Sequence, residues 1–203
     1  SYLEVAGGTS LVEFKNMQGK KQQVNYVVPN MNQCKGCHER DGMMTPIGPS
    51  ARQMNASMRY AHGEENQLDY WSRTNQLTNV PGTRPKFVSY IDEGAPLNER
   101  VKAYLDINCA HCHNPKGPAK SSGLFLDYRY YGTTAYGIMK SPVAAGRGSG
   151  GLSYDIVAGK PAESILLYRM NSQDPGVMMP EMSRTIIHQE GVALIREWIK
   201  SIH

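Results

Sequence analysis

The sequence predicts a mainly α-helical chain of two small domains, with a β-hairpin at the N-terminus and a β/loop insert in the second domain. Four segments of the 203-residue chain place apolar side chains at the spacing of a helix. A five-residue pattern containing two cysteines occurs once in each half. This repetition favours a first domain at residues 1–100 and a second at residues 101–203.

The N-terminal hairpin is predicted at residues 11–15 and 23–28. Their sequences, "LVEFK" and "QVNYVV", alternate in the manner of strands, and the turn between them contains Gly19. Pro29 ends the second strand shortly before the first cysteine pattern.

Helices are predicted at residues 66–77, 97–108, 163–171 and 190–202. The second of these runs directly into the second cysteine pattern, so it would close one domain and open the other. The last has a continuous apolar face formed by Val192, Ile195, Trp198, Ile199 and Ile202.

The predicted insert covers residues 122–160, which are rich in Tyr, Gly and Thr. That composition is typical of short strands and loops. Within it, "GRGSGG" at residues 146–151 has the glycine content of a phosphate-binding loop. We interpret it as a flexible loop, because no clear strand precedes it and no clear helix follows it.

The two cysteine patterns are "CKGCH" and "CAHCH", and together they contain every cysteine of the chain. C-x-x-C-H is the attachment signature of c-type haem, in which the thiols add to the porphyrin vinyl groups and the adjacent imidazole reaches the iron. The sequence therefore predicts two covalently attached haems c, held by Cys34, Cys37 and His38 and by Cys109, Cys112 and His113.

Two other uses of paired cysteines explain the sequence less well. A zinc site built from both C-x-x-C pairs leaves the histidine after each pair unexplained. A redox-active dithiol of the thioredoxin type follows a strand at the start of a helix in a βαβ unit, and no such unit is indicated here.

Methionines are concentrated in "GVMMPEMS", residues 176–183, which has neither helical nor strand periodicity. Met179 precedes Pro180 directly. A side chain held in a loop before a proline is stiffer than core filling requires. We interpret Met179 as a thioether aimed at a metal.

Each half resembles a class I cytochrome c domain. The linked segments "YVVPNMNQCKGCH", "IGPSARQMN", "AYLDINCAHCHNP" and "MMPEMSRTIIHQEGVALIREWI" are similar to an uncharacterised family of exported bacterial di-haem cytochromes. The resemblance covers nearly the whole chain. It implies that His38 and His113 are the proximal ligands and that Met179 is the distal ligand of the second haem. It also implies that the carbonyl of Pro46 or Pro49 accepts the N–H of a proximal imidazole.

The first half departs from the class I pattern in "VPGTRPKF", residues 80–87, where a distal methionine would stand. The sixth ligand of the first haem is therefore left open between His62, a local methionine and an empty or weakly filled position. The local methionines are Met54 and Met58. Met170 and His188 are within reach only if the two halves interlock.

Charge, hydropathy and cofactor chemistry limit the setting in which the protein works. The formal net charge is +4 with no basic run, which argues against a nucleic-acid partner, and no apolar run is long enough for a membrane span. Because haem is attached to C-x-x-C-H outside the bacterial inner membrane, we expect a periplasmic or extracellular protein. The opening "SYLEVAGGTS" lacks the basic and apolar regions of a signal peptide, as a processed chain would.

The function predicted from these features is electron transfer between redox protein partners outside the cytoplasm. A His/Met-ligated iron has no open position for chemistry, which is typical of a carrier. One alternative is a di-haem peroxidase-like enzyme with an open first haem. Another is a module of a larger redox complex or oligomer, with the Tyr/Gly-rich insert as a contact surface.

Overall fold

The computed structural model describes residues 5–16 and 18–203. Residues 1–4, the first part of the segment "SYLEVAGGTS" that predicts a processed N-terminus, lie outside the described residues. The elements in chain order are β1 (Gly8–Lys15), β2 (Lys21–Val28), α1 (Met31–His38), β3 (Glu39–Arg40), β4 (Met43–Met44), α2 (Ala51–Met54), β5 (Ser57–Tyr60), β6 (Gly63–Asn66), α3 (Gln67–Arg73), α4 (Leu97–Asn108), α5 (Ile165–Met170) and α6 (Gln189–Ser201).

The N-terminal hairpin is confirmed. Strands β1 and β2 pair antiparallel from Gly8 opposite Val28 to Lys15 opposite Lys21. Both strands begin two or three residues earlier than the apolar alternation predicted, because backbone pairing continues into residues whose side chains are polar.

The predicted helices of the second half are confirmed, and α4 has the predicted bounds. Helix α6 differs by one residue at each end, and α5 is shorter than predicted. Helix α3 ends at Arg73, and Asn75 shortly afterwards has a φ of 59°. A left-handed residue of this kind is incompatible with continuing the helix to residue 77.

The prediction of a mainly α fold built from two class I cytochrome c-like domains is wrong. The chain is 33% helical and 16% strand, with three separate two-stranded sheets among the described residues. The first half lacks long amphipathic segments, so its backbone groups pair locally in the hairpins β1–β2, β3–β4 and β5–β6. Helix α1, eight residues long, buries none of its side chains.

The predicted strands of the insert are also wrong. In residues 122–160 of the described chain, strand-like pairing is limited to isolated bridges such as the one between Ile138 and Ile156. The remaining backbone forms loops and short 3-10 turns, one of which covers Gly146–Ser149 in the glycine-rich segment. Glycines at positive φ, including Gly137 and Gly150, interrupt any longer strand.

The hydrophobic core lies in the second half, where α4, α5 and α6 pack together with the insert. Trp198 of α6 is completely buried. Its ring packs edge to face against the ring of Tyr136, a residue of the insert, with 6.2 Å between the ring centres. The apolar faces of α4 and α6 therefore supply much of this core. Its other side chains come from α5 and the insert, and the core includes Val101, Leu105, Leu124, Leu126, Ile156, Leu166, Leu167, Val192, Ile195 and Ile199.

The first half has almost no core of its own. Among the described residues before Leu97, Leu68 of α3 is the only one that is buried. A segment of this length with one buried residue cannot offset the entropy of folding by apolar burial alone. Its contacts with the second half therefore contribute to its order.

Asp106 of α4 joins the two halves. Its carboxylate accepts hydrogen bonds from Gln53 Nε2 and from the backbone N–H of Tyr128, both at 3.2 Å. Arg52 Nε lies 3.7 Å from the same carboxylate, and its guanidinium lies 3.9 Å from the centre of the Tyr128 ring. Burial raises the pKa of Asp106, which the hydrogen bond from Tyr128 partly opposes.

The predicted division between residues 100 and 101 falls inside α4 and stays a prediction. In the part of the chain that the structure describes, every helix is too short or too polar to cross a membrane.

Candidate functional site

The first C-x-x-C-H motif lies on α1, whose start is fixed by a capping box. The side chain of Asn30 accepts a hydrogen bond from the backbone N–H of Gln33, and the side chain of Gln33 accepts one from the backbone N–H of Asn30, both at 2.9 Å. The helix brings Cys34, Cys37 and His38 into its last two turns. Local sequence therefore suffices to place the three chemical groups of this motif.

His38 is held by the backbone that follows it. Its Nδ1 lies 3.2 Å from the carbonyl oxygen of Thr45, just beyond the small hairpin β3–β4. A carbonyl oxygen can only accept, so Nδ1 carries the hydrogen and the lone pair is on Nε2. The acceptor predicted from the resemblance was Pro46 or Pro49, and the structure instead uses the residue before Pro46.

The second motif follows α4, and His113 has the same arrangement. Its Nδ1 lies 3.1 Å from the carbonyl oxygen of Leu124. Burial lowers the pKa of His113, and the Leu124 carbonyl opposes that shift. Cys109 is half-buried, and burial raises the pKa of its thiol to about 12.

A cavity of about 490 Å³ opens beside the second motif. The cavity is lined by Cys109, Cys112 and His113 together with Met179. Met179 comes more than sixty residues after these three in the sequence. The apolar part of the wall comes from side chains of the insert, α5 and α6, among them Leu124, Leu126, Ile165 and Val192. A mostly apolar cavity of this size with a few polar groups is typical of a cofactor site.

Arg169 of α5 holds the loop that carries Met179. The backbone N–H of Met179 donates to the Arg169 carbonyl at 3.1 Å, and Arg169 Nε donates to the Val177 carbonyl at 2.8 Å. A second arginine, Arg184, donates to the Met170 carbonyl at 2.5 Å and also to the carbonyl of Ser172. Both arginines thus tie the loop to the end of α5.

We expect the substitution Arg169→Lys to lower the free energy of unfolding by about 1–3 kcal/mol, because the Val177 carbonyl loses its partner at a largely buried position. Urea unfolding followed by tryptophan fluorescence measures this change. Arg196→Lys on the exposed side of α6 is the matched control and should leave the unfolding curve unchanged. Equal stability of the two variants would show that the Arg169 contact does not secure the loop.

The structure does not bring His62 to the cavity. His62 lies in the turn between β5 and β6, with its Nε2 2.8 Å from a carboxylate oxygen of Glu65. Its ring is stacked with those of Tyr60 and Tyr70, with 5.6 Å between ring centres in each case. The hydrogen bond with Arg73 is the main cause that lowers the pKa of Glu65 to about 2, and the hydrogen bond with His62 lowers it further. Ligation of the first haem by His62 stays a prediction.

The other candidates for the first haem are dispersed. Met54 is half-buried on α2, and Met58 on β5 is 47% exposed. Met170 and His188 line the cavity of the second motif, where Nδ1 of His188 lies 3.0 Å from the hydroxyl of Tyr104.

Sequence reasoning missed His111, the middle histidine of "CAHCH". It lines the cavity, and its Nδ1 is buried without a hydrogen-bond partner. Burial is the main cause that lowers the pKa of His111. The sequence signal for His111 was the second motif itself, because one of its two variable positions is a histidine.

Sequence reasoning also did not foresee that the two motifs meet at one cavity. Gly36 and Cys37 of the first motif line the same cavity as Cys112 of the second. Interaction between the two thiols is the main reason why the pKa of Cys37 is lowered to about 6 and that of Cys112 is raised. Proximity between residues 75 positions apart has no signature in local sequence.

Comparisons of the chain with protein-family models, curated proteins and solved structures give no match. Among residues 5–16 and 18–203, no group of three or more His, Cys, Asp or Glu side chains is arranged to hold a metal ion by itself.

Proposed function

We propose that the chain is a di-haem c-type cytochrome that carries electrons between redox proteins outside the cytoplasm. The observation that carries this proposal is the shared state of the two motif histidines. His38 and His113 each have Nδ1 at a backbone carbonyl, 3.2 and 3.1 Å away, which leaves Nε2 as the ligand atom. Metal-ligating histidines nearly always donate their other N–H in this way, which fixes the ring and raises its basicity.

The donor set fits haem c in both halves. Cys34 and Cys37 would form the thioether links of the first haem, and Cys109 and Cys112 those of the second. His38 and His113 would be the proximal ligands, and Met179 the distal ligand of the second haem. The haem supplies reversible one-electron exchange at its iron.

Packing in the first half also supports a large prosthetic group. Met31, Met43, Met44 and Ile47, close to His38 in sequence, are all more than 40% exposed. Such an apolar surface is costly to leave in water, and a flat apolar group on His38 would cover part of it. The same group would supply the core that the first half lacks.

The chain's own residues shape the second site for electron transfer. Apolar side chains from the insert, α5 and α6 line most of the cavity, and the Arg169 and Arg184 contacts hold the Met179 loop in place. A rigid, mostly apolar site keeps the reorganisation on electron transfer small. The resemblance to exported di-haem cytochromes supports the same proposal, as does the requirement that haem attachment take place outside the inner membrane.

A peroxidase-like enzyme is the second candidate. The observation in its favour is that Nε2 of His62, one of the candidate ligands of the first haem, lies against Glu65. A five-coordinate first iron would give a high-spin ferric signal that changes on adding cyanide or peroxide. A carrier with both irons six-coordinate would give low-spin signals alone.

We expect intact mass spectrometry of the exported protein to show the polypeptide plus two haems, and a pyridine haemochrome assay to give two haems per chain. The same chain produced without the haem-attachment machinery is the control and should show the bare polypeptide mass. If the exported protein also has the bare mass, or if it contains zinc instead of iron, the proposed function is wrong.

A further inference from the structure

Lys140 of the insert is a largely buried cation. Its side chain is 13% exposed, and that of its ion-pair partner Asp155 is 8% exposed. The Lys140 ammonium donates to the Asp155 carboxylate at 2.9 Å. It also donates to the backbone carbonyls of Ser122 and Ser141, at 3.2 and 3.3 Å. An ammonium group has three hydrogens, so all of them have an acceptor here.

A buried ion pair of this kind adds little net stability. The cost of removing both charges from water roughly cancels their attraction, and apolar residues of similar volume often stabilise a protein as well or better. The main effect of the pair is therefore to fix the position of the backbone that Lys140 contacts.

Asp155 is anchored in the core of the second half. Its backbone N–H donates to the Lys140 carbonyl at 2.8 Å, and its carbonyl accepts from the backbone N–H of Leu166 on α5 at 3.0 Å. The next residue, Ile156, is completely buried. Lys140 therefore connects a fixed point of the core to the turn that contains Ser122.

The turn held by Lys140 carries two groups that contact the imidazole of His113. Nδ1 of His113 lies 3.1 Å from the Leu124 carbonyl oxygen and 3.4 Å from the Ser122 hydroxyl. That hydroxyl donates to the Ala119 carbonyl at 2.7 Å and accepts from the backbone N–H of Leu124 at 3.1 Å. The turn therefore presents two oxygen atoms to one ring nitrogen.

The site of the first motif has a weaker support at the same point. Nδ1 of His38 lies 3.2 Å from the carbonyl oxygen of Thr45, which directly follows β4. Met43 and Met44 of that strand are 68% and 56% exposed. The acceptor of His38 is therefore carried by an exposed hairpin of two residues per strand, whereas that of His113 is tied to the core through a buried ion pair.

We propose that Lys140, paired with Asp155, is the positioning residue of His113. It holds this imidazole more firmly than the first site holds His38. The inference rests on the proposed function and adds to it a difference between the two sites. A firm acceptor at Nδ1 raises the basicity of the imidazole. Because a more basic ligand favours ferric iron, the ion pair lowers the reduction potential of the second haem.

The first test is the exchange of the two Nδ1 hydrogens with deuterium in the mature ferric protein, followed by nuclear magnetic resonance. The hydrogen on His113 should exchange on the order of tenfold more slowly than that on His38, which is the effect of about one additional hydrogen bond. An equal or faster rate at His113 would overturn the inference. This comparison is made within the unmodified protein.

The second test is the double variant Lys140→Met with Asp155→Leu, which removes the anchor without leaving a buried charge unpaired. We expect exchange at His113 to accelerate on the order of tenfold, and exchange at His38 to keep its rate. The reduction potential of the second haem should rise while that of the first stays, a pattern that a general loss of stability does not produce. Lys120→Met, a change of an exposed lysine in the same turn, is the matched control and should alter neither quantity.

Two outcomes separate this inference from the proposed function. If the mature protein contains two haems but the double variant leaves exchange at His113 and both potentials unchanged, the positioning role is wrong and the cytochrome assignment stands. If no haem mass is found, both are wrong. If the double variant does not fold, the comparison of His113 with His38 in the unmodified protein decides.

Discussion

Replacing both Cys34 and Cys37 with alanine is expected to remove one haem and to unfold much of residues 18–96, while the core around Trp198 remains folded. In the described part of this segment, Leu68 is the only buried residue. Without the first haem, the segment keeps a few contacts to the second half, such as those at Asp106. These contacts are too few to offset the ordering of a segment of that length.

Hydrogen exchange followed peptide by peptide by mass spectrometry measures this effect. Peptides from the first half of the variant should exchange at nearly the unfolded rate, whereas peptides from α4 and α6 should keep their protection. Lys35→Ala, a change of an exposed residue between the same two cysteines, is the matched control and should retain both haems and full protection. A first half that stays protected with one haem would show that the polypeptide holds itself together.

The sequence was sufficient for the helices that form the core. On α4 and α6, apolar residues recur at helical spacing and also pack against each other, so local pattern and tertiary packing agree. The C-x-x-C-H motifs likewise specify their own local geometry, because the cysteines and the histidine lie within five residues. Such features depend on short-range information and are readable from one sequence.

The rest of the fold and of the candidate site depends on contacts between distant residues, which a single sequence does not show. The short hairpins β3–β4 and β5–β6 have two and four residues per strand, too few for a periodic pattern. The acceptor for His38 was assigned to a proline by resemblance, although any residue has a carbonyl and the hairpin geometry selects Thr45. Cys37 and Cys112 line one cavity because the two halves pack together, which no local rule predicts.

Replacing Met179 with alanine is expected to abolish the absorption band of the iron–thioether bond at the red end of the ferric visible spectrum. The reduction potential of the second haem should fall by on the order of 0.1 V, since a methionine ligand favours ferrous iron and a weaker ligand or water does not. Met179 is suited to this role because it lines the cavity with His113 and its backbone is tied to Arg169. The haem itself should stay attached, because Cys109 and Cys112 are unchanged.

Met178→Ala is the matched control, since Met178 is adjacent in sequence, has a similar partial exposure and lies outside the cavity wall. It should keep the thioether band and the potential of the unmodified protein. Visible spectra and potentiometric titrations of both variants, each with its haem content measured by mass, separate loss of the ligand from loss of the cofactor. If Met178→Ala loses the band and Met179→Ala keeps it, the ligand is the neighbouring residue, and the loop must adopt another arrangement around the iron. If both variants keep the band, the thioether comes from outside this pair, with Met182 and Met170 as the next methionines on the cavity wall.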